Sequence, residues 1–120
     1  MSNAITLKQA VDLTTRYRAA KNEMLKAEYV EKNILPACET FEREAIDKLL
    51  AHPGCARLRI YLGMNEDQDI CTILVGVDAE GKDILPAIEN TGEAGDDDPV
   101  IVEDGIRCPP ICPPPSPLNP

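Results

Sequence analysis

Seven of the last 13 residues, from Cys108 to Pro120, are proline. Proline has a fixed φ angle and no amide proton, so this stretch cannot form a helix or an inner strand. The sequence therefore predicts an extended Pro/Cys-rich tail over residues 108–120. Apolar residues make up 43% of the chain, which is sufficient for a hydrophobic core, so residues 1–107 are predicted to form a single α+β domain.

Two amphipathic helices are predicted in the N-terminal half. Thr6 and Gln9 match a capping box, in which each side chain accepts a hydrogen bond from a free amide at the start of a helix. The second helix is predicted from about Cys38 to Ala51, where apolar residues recur at helical spacing. Pro53 and Gly54 then end it.

A small antiparallel meander of three to four strands is predicted after the helices. Alternation of apolar and polar residues, and the turn sequence Asp78–Gly81, separate its strands. The predicted strands are Arg57–Met64, Ile70–Val77, Lys82–Leu85 and Val100–Val102.

The alternation in the first of these strands predicts two different faces. We expect both helices to pack on one face of the meander, with the second helix over Leu58, Ile60 and Leu62. The other face, with Arg57, Arg59 and Tyr61, is expected to meet solvent or a partner. Its alternative role is cross-strand pairing within the chain.

The net charge of −9 is concentrated late in the chain. Residues 89–106 contain seven Asp or Glu residues and no Lys or Arg, and residues 89–99 are predicted to form an acidic loop. An acidic chain repels phosphate backbones, so no nucleic-acid partner is expected. The spacing of these carboxylates differs from that of an EF-hand loop, and a solvated loop is the simpler interpretation.

The location and redox state follow from two absences in the sequence. The N-terminus lacks the basic and apolar regions of a secretory signal, and no apolar run has the length of a membrane span. The five cysteines are an odd number. We therefore expect a cytoplasmic protein with reduced thiols and no membrane association.

The tail offers three interpretations. A proline-rich segment can dock into a partner's groove because it has little conformational entropy left to lose. Alternatively, the tail folds back on its own domain, with Ile111 and Leu118 as anchors. In the third, Cys108 and Cys112 act as a redox pair or bind a soft metal, although a zinc site would need further ligands.

Three parts of the chain carry a resemblance. They are the run Phe41…Leu49-Leu50…Gly54-Cys55…Arg59-Ile60-Tyr61, the strand Val75-Gly76-Val77-Asp78 and the ending Arg107-Cys108-Pro109-Pro110…Cys112. Together they resemble short bacterial proteins, chiefly of the Bacteroidetes type. The resemblance implies a bacterial origin, and it implies no function, cofactor or catalytic residue.

The sequence contains no catalytic motif that we recognise, so we expect a non-enzymatic protein-interaction module without a cofactor or metal. Its partner is predicted to be another protein or a second copy of the chain. The alternatives are a thiol-redox or metal-binding sensor using Cys108 and Cys112, and a small-molecule sensor. The predicted partner-binding residues are Arg57, Arg59, Tyr61, Cys108, Pro109, Pro110, Ile111 and Cys112.

Overall fold

Helices lie in the first half of the chain and most strands follow them in the computed structural model, which describes residues 3–86 and 99–120. The mixed α+β class is confirmed. In chain order the elements are α1 (Leu7–Ala20), a 3-10 turn (Ala27–Tyr29), β1 (Cys38–Thr40), α2 (Arg43–Leu50), β2 (Cys55–Met64), β3 (Ile70–Asp78), β4 (Asp83–Ile84) and β5 (Ile106–Cys108).

Two compact units make up the structure. Glu39–Ile106 form the sheet unit, which is one continuous stretch of chain. Met1–Cys38 and Arg107–Pro120 form the terminal unit, which combines both ends of the chain. The predicted packing of the first helix on the sheet stays a prediction, because α1 belongs to the terminal unit.

The sheet unit is built on an antiparallel meander in the order β2-β3-β4. β3 is central: Ile60 and Leu74 are opposed on one side, and Val77 and Asp83 on the other. The predicted turn between β3 and β4 is present, with Gly81 at φ +90°, a conformation that side chains disfavour. β1 and β5 form a second, two-stranded sheet that the sequence did not predict.

Helix α2 packs against both β2 and β3. Its Leu49 forms a buried cluster with Leu74 of β3 and with Val102, whose backbone bridges to Leu74. The prediction that this helix covers Leu58, Ile60 and Leu62 is therefore wrong, since all three remain exposed. The Leu49 side chain lies next to Gly76 of β3, where an added Cβ would be 3.6 Å from Leu49 Cδ2.

Two predicted elements differ from the structure, and a third cannot be compared with it. The second helix begins at Arg43 instead of Cys38, because Cys38–Thr40 pair as a strand. The predicted fourth strand is reduced to a single bridge at Val102. Apart from Pro99, the predicted acidic loop at 89–99 lies outside the described residues.

The terminal unit begins with the predicted capping box. The Thr6 hydroxyl accepts from the Gln9 amide at 3.1 Å, and the Gln9 side chain accepts from the Thr6 amide at 2.8 Å. Further along α1, the Tyr17 hydroxyl donates to the Pro36 carbonyl at 2.5 Å. Among residues 3–86 and 99–120, no helix combines the length and apolarity needed to cross a bilayer.

Candidate functional site

Among the described residues of the sheet unit, the three most exposed large apolar side chains lie on β2. Alternate residues of a strand share a face, and four of them on one face of β2 are large aliphatic residues with exposed fractions between 41% and 76%. We call this set the β2 aliphatic row. Its members are Leu58, Ile60, Leu62 and Met64.

The row lies on a strand with an unpaired edge. β2 is the first strand in the sheet order, so only its β3 side carries a partner strand in the described part of the chain. With ten residues, β2 is also the longest strand of the sheet. A long, exposed, apolar edge strand presents backbone donors and acceptors that another strand can pair with.

The opposite face of β2 carries the residues predicted to bind a partner, and two of them are engaged inside the sheet unit. Arg59 Nη1 lies 2.5 Å from Asp83 Oδ1, and Nη1 and Nη2 of Arg59 both donate to the Gly81 carbonyl at 3.3 Å. The Tyr61 hydroxyl donates to Asp83 Oδ2. Arg59 and Tyr61 therefore follow the alternative interpretation, pairing across the strands of their own chain.

These contacts change the acidity of Asp83. The hydrogen bond from Tyr61, and after it the Arg59 guanidinium, lower the pKa of the Asp83 carboxyl below its ordinary value of 3.8. The side chains of Arg59 and Asp83 are 41% and 20% exposed, so salt screens part of their attraction. The cluster fixes β4 against β2 across the sheet.

Opposite charges flank the aliphatic row along the strand. Arg57 is exposed near the start of β2, and no carboxylate of residues 3–86 or 99–120 forms an ion pair with it. Glu66 and Asp67 are exposed in the turn that follows Met64. The edge of β2 is thus basic at one end and acidic at the other.

The tail contains a disulfide bond between Cys108 and Cys112. The expectation that all five cysteines are reduced is therefore wrong for these two, while Cys38, Cys55 and Cys71 are unbridged. The Ile111 amide donates to the Arg107 carbonyl at 3.0 Å, and this turn brings the two cysteine Cα atoms within 4.5 Å. The peptide bonds before Pro109 and Pro110 are cis.

Polar contacts and one buried sulfur hold the tail within the terminal unit. Arg18 donates to the Leu118 carbonyl at 2.7 Å, and Cys108 is only 2% exposed. The Asn119 side-chain amide lies 3.7 Å from the Cys108 sulfur. Ile111 is exposed and Leu118 partly so. The tail therefore folds back as one interpretation predicted, but Cys108 and backbone carbonyls anchor it instead of the Ile111 and Leu118 side chains.

The remaining predicted sites have less support. An open depression of about 280 Å³ lies between α2 and residues 100–103, lined by Ala45, Lys48, Val100, Ile101, Val102 and Glu103. In the described part of the chain, no three His, Cys, Asp or Glu side chains are placed to hold a metal ion.

Sequence reasoning missed Asp83 and the exposure of the aliphatic row. The strand register could have indicated Asp83. Counting outward in both directions from the Asp78–Gly81 turn sets Asp83 opposite Val77, and Val77 is opposite Arg57. The alternation of apolar and polar residues predicts that the row shares one face, but the exposure of the row depends on how α2 packs on the sheet. Comparisons of the chain with protein-family models, curated proteins and solved structures found no match.

Proposed function

We propose that this chain is a non-enzymatic protein-interaction module that binds an extended segment of another polypeptide along the edge of β2. The observation that supports this most directly is the exposed β2 aliphatic row on an edge strand. Main-chain pairing would supply affinity, and alternate side chains of the bound strand would pack on the row. The proposed function remains that of a protein-interaction module. Its proposed binding surface is the β2 aliphatic row instead of Arg59 and Tyr61.

The proposal is tested with the full chain and a labelled peptide of alternating valine and threonine, with lysines at both ends. We expect its fluorescence anisotropy to rise with protein concentration. A matched peptide with proline at alternate positions cannot pair with a strand, so it should not bind. Leu62→Lys should abolish binding, whereas Leu13→Lys, a matched change of an exposed leucine on α1, should preserve it. Equal binding of both peptides would refute the proposal.

A second candidate function is a thiol–disulfide switch in the tail, which the Cys108–Cys112 bond favours. We propose the cytoplasm as its compartment, where thiols are normally kept reduced. Reduction by a dithiol would break the sulfur–sulfur bond and leave two protein thiols, with the oxidised dithiol as the other product. Loss of the bridge would loosen the turn around Cys108. It would thereby release the end of the tail, which is held by the contact of Asn119 with the Cys108 sulfur and by the hydrogen bond from Arg18 to the Leu118 carbonyl.

Amide hydrogen exchange of the full chain with and without dithiothreitol tests the switch. We expect faster exchange at Ile111 and Asn119 after reduction, because their amides close turns in the tail. The double variant Cys108→Ser/Cys112→Ser should exchange fast in both conditions, and Cys71→Ser should behave as the wild type. Identical exchange of the wild type in both conditions would rule the switch out.

A further inference from the structure

We propose that the strand bound by β2 is the β2 of a second copy of this chain, related by a two-fold axis at Tyr61. This inference rests on the proposed function and specifies its partner. It predicts a continuous sheet in which two meanders join edge to edge, with a defined register.

The face pattern limits the possible registers. Opposed residues of an antiparallel pair lie on the same face, so any register shifted by one residue would set apolar residues of one copy against polar residues of the other. An axis at Tyr61 pairs Leu58 with Met64 of the second copy and Ile60 with Leu62 of the second copy. Both rows then merge into one apolar strip of eight aliphatic side chains, four from each β2.

Strand length selects among the registers that keep the faces matched. β2 has a bulge between Cys55 and Arg57 and ends at Met64. An axis at Ile60 would set Met64 against the bulge, and an axis at Leu62 would force the turn after Met64 into the ladder. The axis at Tyr61 uses the regular part of the strand and gives every member of the row an apolar neighbour.

The charges at the two ends of β2 complement each other in this arrangement. Antiparallel pairing places Arg57 of each copy opposite Asn65 of the other, next to Glu66 and Asp67. A two-fold axis repeats the contact at both ends of the interface. A parallel pairing would instead bring the two copies of Arg57 together, where like charges repel.

Sedimentation equilibrium of the full chain over a range of protein concentrations tests the second copy. We expect a reversible dimer that Leu62→Lys converts to a monomer and that Leu13→Lys leaves intact. High salt should weaken the dimer, because the end charges are exposed. A chain that remains monomeric at every concentration would overturn this inference, while binding of the valine–threonine peptide would still uphold the proposed function.

Cysteine cross-linking tests the register separately. Opposed residues lie about 4.5–5.5 Å apart between Cα atoms, so Tyr61→Cys should form a disulfide-linked dimer under mild oxidation. Leu58→Cys should not, because its two copies would lie about 20 Å apart. Both variants need circular dichroism to confirm folding, since Tyr61 also bonds Asp83. A dimer that cross-links through Leu58→Cys and not through Tyr61→Cys would overturn the proposed axis.

Discussion

Glu39 Oε1 accepts a hydrogen bond from the backbone amide of Thr72 at 3.1 Å, across 33 positions of sequence. The bond gives an acceptor to a backbone amide of β3 at a position that pairs neither with β4 nor with Val102. Glu39→Ala would leave this part-buried amide without its acceptor, and we expect a loss of about 1–2 kcal/mol in the free energy of unfolding. Glu39→Gln retains an acceptor oxygen, so its free energy of unfolding should fall by less. Urea denaturation measures both, and equal losses would contradict the assignment.

Asp83 should make the stability of the chain sensitive to acid. Its folded pKa is lowered, so its contribution to stability is fully present above the ordinary value of 3.8 and is lost as pH falls through the folded pKa. We expect Asp83→Asn to be less stable than the wild type at neutral pH, with the difference shrinking in acid. Paired urea titrations across this range measure it, and a difference that is constant with pH would exclude the effect.

Ionisation of Tyr17 should make the free energy of unfolding fall as pH rises in the alkaline range, the opposite direction to the effect of Asp83. Burial raises the pKa of its phenol above 10.0, and nearby Arg107 lowers it to a lesser extent. The stabilisation is therefore fully present below pH 10.0 and lost as pH rises through the folded pKa. Tyr17→Phe should remove this loss, and the missing hydrogen bond to Pro36 should destabilise the protein by about 1 kcal/mol at neutral pH. Tyr29→Phe is the matched control.

Leu49 and Leu50 are neighbours in sequence with different burial, at 2% and 44% exposed. Leu49→Ala would open a cavity in the cluster with Leu74 and Val102, and we expect a loss of about 2–5 kcal/mol. Leu50→Ala should change stability far less. Thermal unfolding of both variants checks the position of α2, and similar losses would mean that the helix is rotated from the position described.

Gly76 is close to Cys55 in the adjacent strand. A Cβ at position 76 would lie 2.9 Å from the Cys55 sulfur and 3.6 Å from Leu49 Cδ2. Gly76→Ala should therefore destabilise the chain by about 1–3 kcal/mol through overpacking. Cys55→Ala removes the nearest atom, so the double variant should lose less than the sum of the two single changes. Additive losses would show that the sulfur is not the obstacle.

The contrast between Thr6 and Glu39 shows which features sequence could predict. The capping box at Thr6 is confirmed because both of its hydrogen bonds join residues three positions apart. Glu39 falls in the first turn of the helix predicted from Cys38 to Ala51, but its hydrogen-bond partner in the structure, Thr72, is distant in sequence. Rules that consider only neighbouring residues could not predict this hydrogen bond.

The β2 aliphatic row shows a second kind of limit. Its alternation correctly predicted a strand and identified which residues share a face. The position of α2 on the sheet depends on tertiary contacts, among them the buried cluster of Leu49 with Leu74 and Val102 and the bridge between Leu74 and Val102. The same holds for Asp83, whose contact with Arg59 requires two strand registers to be known together.

The division into two units has a consequence for synthesis on the ribosome. Chains emerge N-terminus first, so the segment containing α1 is made early, while the rest of its unit, residues 107–120, is made after the whole sheet unit. We expect the sheet unit to fold during translation, whereas Val11 and Ile34 of the early segment, which are half-buried and buried in the folded protein, stay uncovered until residues 107–120 are made. The nascent chain would then be most vulnerable to chaperone capture and aggregation in this early segment and not in the residues made last.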